Sequence, residues 1–191
     1  SIYIPSTLQE VKNYDSPFKN CDFLNDITFG EGTTSIPSYL FKECTGLTEI
    51  EIPSSVKSIA INAFSDCSNL EKVTLNEGLN TLGANAFYGT KISSIYIPST
   101  LTNVSNYDSP FKNCAALDDI IFGEGITSIP SYLFESCKSL TKITIPDTVT
   151  TIENNTFANC TGLTEIEIPS NVKSIGVSAF SECSNLEKVT L

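Results

Sequence analysis

The chain has 191 residues, of which 40% are hydrophobic, and this is enough to form the core of one domain. It carries 22 acidic residues against 11 basic ones, all of them lysine, and it contains no histidine, methionine or tryptophan. The lack of histidine excludes an imidazole base and histidine metal ligands, and the net charge of −11 argues against nucleic acid and anionic membranes as partners. No apolar run reaches the roughly 18 residues of a membrane span, so we also expect no direct membrane insertion.

A phenylalanine recurs every 23 or 24 residues along the chain, which is the spacing of a solenoid repeat. In seven coils a cysteine follows three residues later, and the fourth coil has Thr90 at that place. A single coil cannot bury its apolar side alone, so we expect stacked coils to form one continuous core. The two columns of this structural ladder are Phe18, Phe41, Phe64, Phe87, Phe111, Phe134, Phe157 and Phe180, and Cys21, Cys44, Cys67, Cys114, Cys137, Cys160 and Cys183.

Each coil also contains a short segment with the period-two pattern of a strand. In chain order its apolar pairs are Ile27/Phe29, Ile50/Ile52, Val73/Leu75, Ile95/Ile97, Ile120/Phe122, Ile143/Ile145, Ile166/Ile168 and Val189/Leu191. A proline or glycine follows most of these pairs and ends the strand. Between the strand and the next phenylalanine, apolar residues lie three to five apart, which predicts one or two helical or 3₁₀ turns.

These elements predict a single α/β solenoid domain over residues 1–191, with eight coils of about 23 residues. We expect a right-handed, curved superhelix with a parallel sheet on its concave side and short helical or 3₁₀ turns on its convex side. Neither end has a polar capping segment, so we expect a fragment whose uncapped ends are a route to self-association. Residues 1–41 match residues 94–134 at 33 of 41 positions, and this copying weakens the case for unique chemistry in one coil.

The repeated unit, roughly LxxIxIPxxVxxIxxxAFxxC, resembles the BspA-like leucine-rich repeats, the treponemal-type class of about 23 residues. All eight coils follow the pattern, and the third shows it in Ile52-Pro53, Val56, Ile59, Ala63-Phe64 and Cys67. The resemblance implies an extracellular or cell-surface protein that adheres to host proteins or to other cells. It implies a protein partner without identifying one, because a scaffold does not specify its ligand.

The seven cysteines raise the possibility of a disulfide framework, because stacked coils bring neighbouring cysteine Cα atoms within bonding range. Their odd number, the parallel direction of their side chains and Thr90 in the same column favour free buried thiols instead. A straight column does not supply the tetrahedral arrangement of a zinc site, and no histidine is present to activate a thiol. We therefore expect no metal and no cofactor.

The polar positions between the inward residues of each strand point out of the expected concave sheet, and we call this surface the strand face. It carries paired acids at Glu49/Glu51 and Glu165/Glu167, as a glycosidase would require, but lysines at the same height on adjacent strands favour simple charge pairing. Three acidic turns raise the alternative of calcium binding, but one glutamate per turn gives too few oxygens and the pattern is typical of ordinary turns. These turns are Gly30-Glu31-Gly32, Asn76-Glu77-Gly78 and Gly123-Glu124-Gly125.

The middle of the strand face is its least charged part and carries an aromatic residue beside a β-branched apolar one. Such a pair is a candidate anchor for a protein ligand, with ordinary surface variation as the alternative explanation. We therefore predict a non-enzymatic adhesion or protein-binding module; the alternative is a structural spacer or assembly element with no specific small ligand. The candidate binding residues are Thr74, Ser94, Tyr96, Asp119, Ile121 and Thr144.

Overall fold

The computed structural model describes residues 1–12, 15–105 and 108–191. Their regular elements are fifteen short strands, because the alternating apolar residues are separated by prolines, glycines and turns every few positions. The strands are β1 (Ile2–Ile4), β2 (Ile27–Phe29), β3 (Ser35–Ile36), β4 (Glu49–Glu51), β5 (Ser58–Ile59), β6 (Lys72–Thr74), β7 (Thr81–Gly83), β8 (Ser94–Ile97), β9 (Asn103–Ser105), β10 (Asp119–Phe122), β11 (Ser128–Ile129), β12 (Thr151–Ile152), β13 (Glu165–Glu167), β14 (Ser174–Ile175) and β15 (Lys188–Thr190).

All strand pairs are parallel and join successive coils, so the chain is a parallel-strand β-solenoid of about eight turns. The strand face is built from four two-stranded sheets, β1-β2, β4-β6, β8-β10 and β13-β15. In the sixth coil the expected strand is reduced to one bridge between Thr144 and Glu167. The prediction of a parallel sheet is therefore confirmed, although its hydrogen-bonded ladder is interrupted between pairs.

A second series of strands lies between the strand face and the phenylalanine in the second to eighth coils. These strands form a four-stranded sheet, β3-β5-β7-β9, and a three-stranded sheet, β11-β12-β14. The apolar spacing of the sequence predicts only an extended turn for these residues, not a second series of strands. They are only two or three residues long, too short for the period-two pattern to be recognised.

The core is a column of stacked phenylalanine rings, flanked by inward leucine, isoleucine and cysteine side chains. Neighbouring rings have centroids 5.3 to 6.1 Å apart and interplanar angles of 20° or less, which is the range of favourable aromatic pairs. The six inner phenylalanines are fully buried, whereas Phe18 and Phe180 in the first and last coils are partly exposed. The stacking of coils thus supplies the core that a single coil lacks.

The convex segments are not helical, so the predicted α/β class with short helical or 3₁₀ convex turns is wrong. No α-helix occurs among the described residues, and 3₁₀ geometry is confined to Lys12. Thirteen of the described residues other than glycine have positive φ, and every one lies two positions before or after a core phenylalanine. A left-handed residue at these points ends any right-handed turn after a few residues.

Hydrogen bonds show what replaces the helix. In the second coil, the amides of Tyr39, Phe41 and Glu43 donate to carbonyls of the third coil at 2.8 to 3.1 Å. The amides between them, those of Leu40 and Lys42, close turns within their own coil. Consecutive turns therefore account for the apolar spacing of three to five residues. In these turns every second amide donates to a carbonyl of the next coil, whereas in a helix it would donate to a carbonyl four residues earlier.

Candidate functional site

The pairing of β8 with β10 brings together the four central candidates of the strand face. The register places Ser94 beside Asp119 and Tyr96 beside Ile121. The Ser94 hydroxyl donates a 2.7 Å hydrogen bond to the Asp119 carboxylate, so these two polar groups satisfy each other. The strand pair therefore presents an aromatic ring and a branched aliphatic side chain next to each other, and we call Tyr96 and Ile121 the central patch.

Ile121 is the exposed member of the central patch, with 51% of its surface accessible. In the described part of the chain, the other strongly exposed large apolar residues lie within residues 3–23 and 175–191, in the first and last coils. Thr74, at the end of β6, is half-buried on one side of the patch, and Thr144 is exposed on the other. The six candidates thus lie on successive coils, with the apolar pair at the centre.

Tyr96 is held in place by Glu77, a residue of the preceding turn. The Tyr96 hydroxyl donates to Glu77 Oε1 at 2.6 Å, and the same carboxylate accepts the amide and hydroxyl of Ser99 at 3.0 and 2.9 Å. We call this group the Glu77 clamp. It joins two coils where the strand-face ladder is interrupted between β6 and β8, so a carboxylate takes over part of the role of strand pairing.

The clamp also changes the acidity of its members. Hydrogen bonding to Glu77, followed by burial and the nearby charge, raises the pKa of Tyr96 to about 12. Burial by itself would raise the pKa of Glu77, but the hydrogen bonds from Tyr96 and Ser99 outweigh it and lower that pKa. Near neutral pH the phenol is therefore a fixed donor and the carboxylate a fixed acceptor.

Gly123 leaves the space that the Glu77 clamp occupies. A Cβ at this position would lie 2.7 Å from the Tyr96 hydroxyl, from a Glu77 oxygen and from the Ser99 nitrogen, closer than real contacts allow. The acidic turn around Glu77 suggested only a calcium ligand, and this role was not predicted from the sequence. The available signal was the period itself, because the residue about one coil after Glu77 is Ser99, with a tyrosine three positions before it.

The paired acids of the strand face lie on either side of the central patch. Register places Glu49 beside Lys72, with a 3.8 Å contact between their charged groups, and Glu165 beside Lys188. The Glu49 and Lys72 side chains are about 70% exposed, so the pair is solvated and contributes little. Among the described residues, no group of three or more acidic or cysteine side chains is arranged to hold a metal ion.

The cysteine column consists of free thiols. Most of the inner sulfurs donate to the carbonyl of the phenylalanine one coil earlier, as Cys67 does to Phe41 at 3.0 Å. Burial raises the pKa of Cys114 to about 11 and that of Cys160 to about 12. A thiol with so high a pKa is a poor nucleophile, so these residues act as small core side chains.

Comparison with protein families identifies the repeat. The family model of the BspA-type leucine-rich repeat region, with six copies, matches residues 1–109 and 107–191. The chain belongs to the BspA-type leucine-rich repeat family. The resemblance inferred from the repeated unit is therefore confirmed, and proteins with such repeats generally mediate protein–protein interactions. Comparison with curated proteins finds no match.

Solved structures of other leucine-rich repeat proteins share the fold. A protein from Bacteroides ovatus is 26% identical with a TM-score of 0.52, and the alignment covers 98% of this chain and 60% of that one. The T. pallidum leucine-rich repeat protein is 28% identical with a TM-score of 0.65, over 80% of this chain and 71% of that one. The pneumococcal vaccine antigen PcpA is 20% identical with a TM-score of 0.61, over 99% of this chain and 50% of that one. At this identity the likeness shows only a shared fold.

The described part of the chain contains no helix with the length and hydropathy of a membrane span.

Proposed function

We propose that the chain is a protein-binding module that holds its partner on the strand face, at the central patch. The observation that supports this most strongly is the 51% exposure of Ile121 away from both ends of the solenoid, beside an aromatic ring. Aromatic anchors near the middle of an interface carry a large share of binding energy. The Glu77 clamp holds the Tyr96 hydroxyl before binding, so less conformational entropy is lost when the partner docks.

The surroundings of the central patch suit a protein partner better than a small molecule. Thr74 and Thr144 supply hydroxyl groups on either side, and the charged pairs lie farther out. An apolar centre with a polar rim is the usual anatomy of a protein interface. Because the paired acids of the strand face are exposed to solvent, we propose no catalytic role for it.

The partner and location that we propose come from the family. BspA-type repeats are typical of bacterial surface proteins, so we propose an extracellular or cell-surface location and adhesion to a host or cell-surface protein. We also propose that residues 1–191 act as one domain, which is supported by a single hydrophobic core extending from Ile4 to Ala179.

The experiment that tests the proposal uses the internal duplication. Thr28 occupies in the first copy the place that Ile121 occupies in the second, each beside a tyrosine. Ile121→Thr therefore removes the aliphatic anchor while introducing a residue that this backbone already accepts. Extracellular and surface proteins captured by the wild-type chain are purified and titrated against Ile121→Thr and against a control, Ile175→Thr, which changes a similarly exposed isoleucine in the last coil.

We expect Ile121→Thr to weaken the purified partner's binding at least about fivefold, because central anchors contribute more than about 1 kcal/mol. Ile175→Thr is expected to leave the affinity unchanged. Equal affinities for the wild-type chain and Ile121→Thr, or a loss confined to Ile175→Thr, would contradict the proposal.

A second candidate function is that of a structural or assembly element. It is favoured by the apolar side chains exposed in the last coil, Val177 at 76%, Val189 at 53% and Leu191 at 90%, and by Phe23 at 95% in the first. Light scattering as a function of concentration separates the two functions. A mass that rises with concentration favours assembly, whereas a stable monomer that binds a partner through Ile121 favours the module.

A further inference from the structure

The strand face carries two columns of outward side chains, because each strand contributes two positions to it. All three lysines at these positions, Lys72, Lys142 and Lys188, lie in the column of the first position. The column of the second position contains no cation, and we call its part from the second to the seventh coil the second column. In chain order its members are Glu51, Thr74, Tyr96, Ile121, Thr144 and Glu167.

The second column has the same order of side chains from either end: a carboxylate, a threonine and one member of the central patch. The strand register links its members in three pairs, because each outer glutamate lies beside a threonine and the two patch residues lie beside each other. At about 4.8 Å per coil, the outer glutamates are about 24 Å apart. The central patch therefore lies midway between two acids.

The outer glutamates of the second column are available to bind a cation. Both side chains are exposed, and neither has an ion pair or a side-chain hydrogen bond within the described chain. Each glutamate of the first column has a lysine beside it, as Glu49 has Lys72. Besides the hydrogen bond to Glu77, the charge of Glu124 raises the pKa of Tyr96, so a further exposed carboxylate lies near the middle of the second column.

A polypeptide segment that covers the whole second column must run across the strands. The main-chain groups of parallel strands point along the sheet towards their neighbours, so an extended segment in this direction finds no ladder to join, and its own amides stay unpaired. A helix satisfies its own main chain, and about 16 helical residues span about 24 Å. Apolar residues in the middle of one helix face then reach the central patch, and lysine or arginine side chains near both ends reach the outer glutamates.

We propose that the partner presents a basic amphipathic helix that lies across the strands along the second column. Its apolar residues pack on Tyr96 and Ile121, and a lysine or arginine near each end binds Glu51 or Glu167. This inference rests on the proposed binding role of the central patch and adds the chemistry of the partner to it. The two outer carboxylates contribute specificity and rapid association, and they repel a helix with acidic ends.

The test titrates the isotope-labelled 191-residue chain with an acetylated, amidated peptide of sequence KKAQLAQLAAQLAQKK, which places leucines on one helix face between lysines at both ends. We expect saturable shifts of the Ile121 methyl resonance and of the Glu51 and Glu167 amides. The peptide EEAQLAQLAAQLAQEE is expected not to bind. The peptide KKAQLAQLPAQLAQKK should bind at least about tenfold more weakly, because the central proline breaks the helix.

Two matched double variants of the chain complete the test. Glu51→Gln with Glu167→Gln should weaken binding of the first peptide about fivefold, because two exposed ion pairs are lost. Glu49→Gln with Glu165→Gln removes the same charge from the same strands, and binding should change by less than about twofold.

The helix is refuted if both double variants lose affinity equally, if the Ile121 methyl does not shift, or if either control peptide binds as the first one does. The central patch fails separately, because its failure is measured by titrating the purified partner against Ile121→Thr. A partner that needs Ile121 but binds both glutamate variants as it binds the wild type would leave the patch standing and overturn the basic helix.

Discussion

Replacing Glu77 with glutamine tests whether the Glu77 clamp positions the central patch. The substitution keeps the size of the side chain but removes the charge that accepts hydrogen bonds from Tyr96 and Ser99. Hydrogen bonds to a charged acceptor contribute more than neutral ones, but this carboxylate is exposed and solvent screens it. We therefore expect a loss of about 1–2 kcal/mol in the free energy of unfolding and a fall in Tm of about 2–8 °C for a chain of this size.

The pH dependence of this loss follows from the lowered pKa of Glu77. A carboxylate whose pKa is lower in the folded state stabilises the fold fully above its ordinary pKa of about 4.3. The contribution declines as the pH falls through the folded-state pKa, because the protonated acid no longer attracts the donors. The difference in stability between wild type and Glu77→Gln is therefore expected to be full at pH 7 and to shrink in acid.

The same substitution is expected to change the acidity of Tyr96. Its pKa of about 12 depends first on the hydrogen bond to Glu77 and should fall towards the ordinary value of about 10. Nuclear magnetic resonance of the tyrosine Cζ carbons measures this shift directly. Glu31→Gln is the matched control, since Glu31 lies at the same turn position but has no tyrosine opposite it in the next coil. Equal effects of the two substitutions, or an unchanged Tyr96 pKa, would refute the clamp.

Three further predictions concern the scaffold. Phe134→Ala is expected to cost about 3–5 kcal/mol and Phe180→Ala about half as much, because Phe134 is fully buried between two rings and Phe180 has one neighbour; equal losses in urea unfolding would contradict the ring column. Thiol titration should find few reactive groups in the native chain and seven after denaturation without reductant, whereas one or three would indicate disulfides. Asn155 has a left-handed φ of 55°, so Asn155→Val should lower the free energy of unfolding by about 1–2 kcal/mol and Asn155→Gly by much less. Equal unfolding midpoints of the two variants would rule out the left-handed conformation.

The strand face could be predicted from the sequence because its pattern has few structural solutions. Alternating apolar residues ended by proline or glycine form strands, and aligning the strand patterns of neighbouring coils places Ser94 beside Asp119 and Tyr96 beside Ile121. The convex side could not be predicted from apolar spacing alone, because consecutive turns place Phe64 and Cys67 inward as well as a helix would. The sequence did carry a signal in its Asn and Asp residues. Seven of the thirteen left-handed residues described are Asn or Asp, the types that tolerate this conformation best.

The Glu77 clamp was missed for a different reason. Glu31, Glu77 and Glu124 occupy the same turn position, so the sequence gives each the same appearance. What distinguishes Glu77 is the next coil, which has Tyr96 and Ser99 where the coil after Glu31 has Glu51 and Ser54. In a solenoid, the partner of a side chain lies about one period away, so a residue's role is found by comparing neighbouring coils.

The most direct test of the central claim is a map of the bound partner on the isoleucine methyl groups. The chain is labelled at the isoleucine Cδ1 methyls and titrated with the purified partner, and the resonance of each methyl is followed. We predict that the largest change occurs at Ile121, while Ile175 in the last coil changes little. An unchanged Ile121 resonance with large shifts at Ile175 and Ile2 would contradict the account and place the partner at the ends of the solenoid.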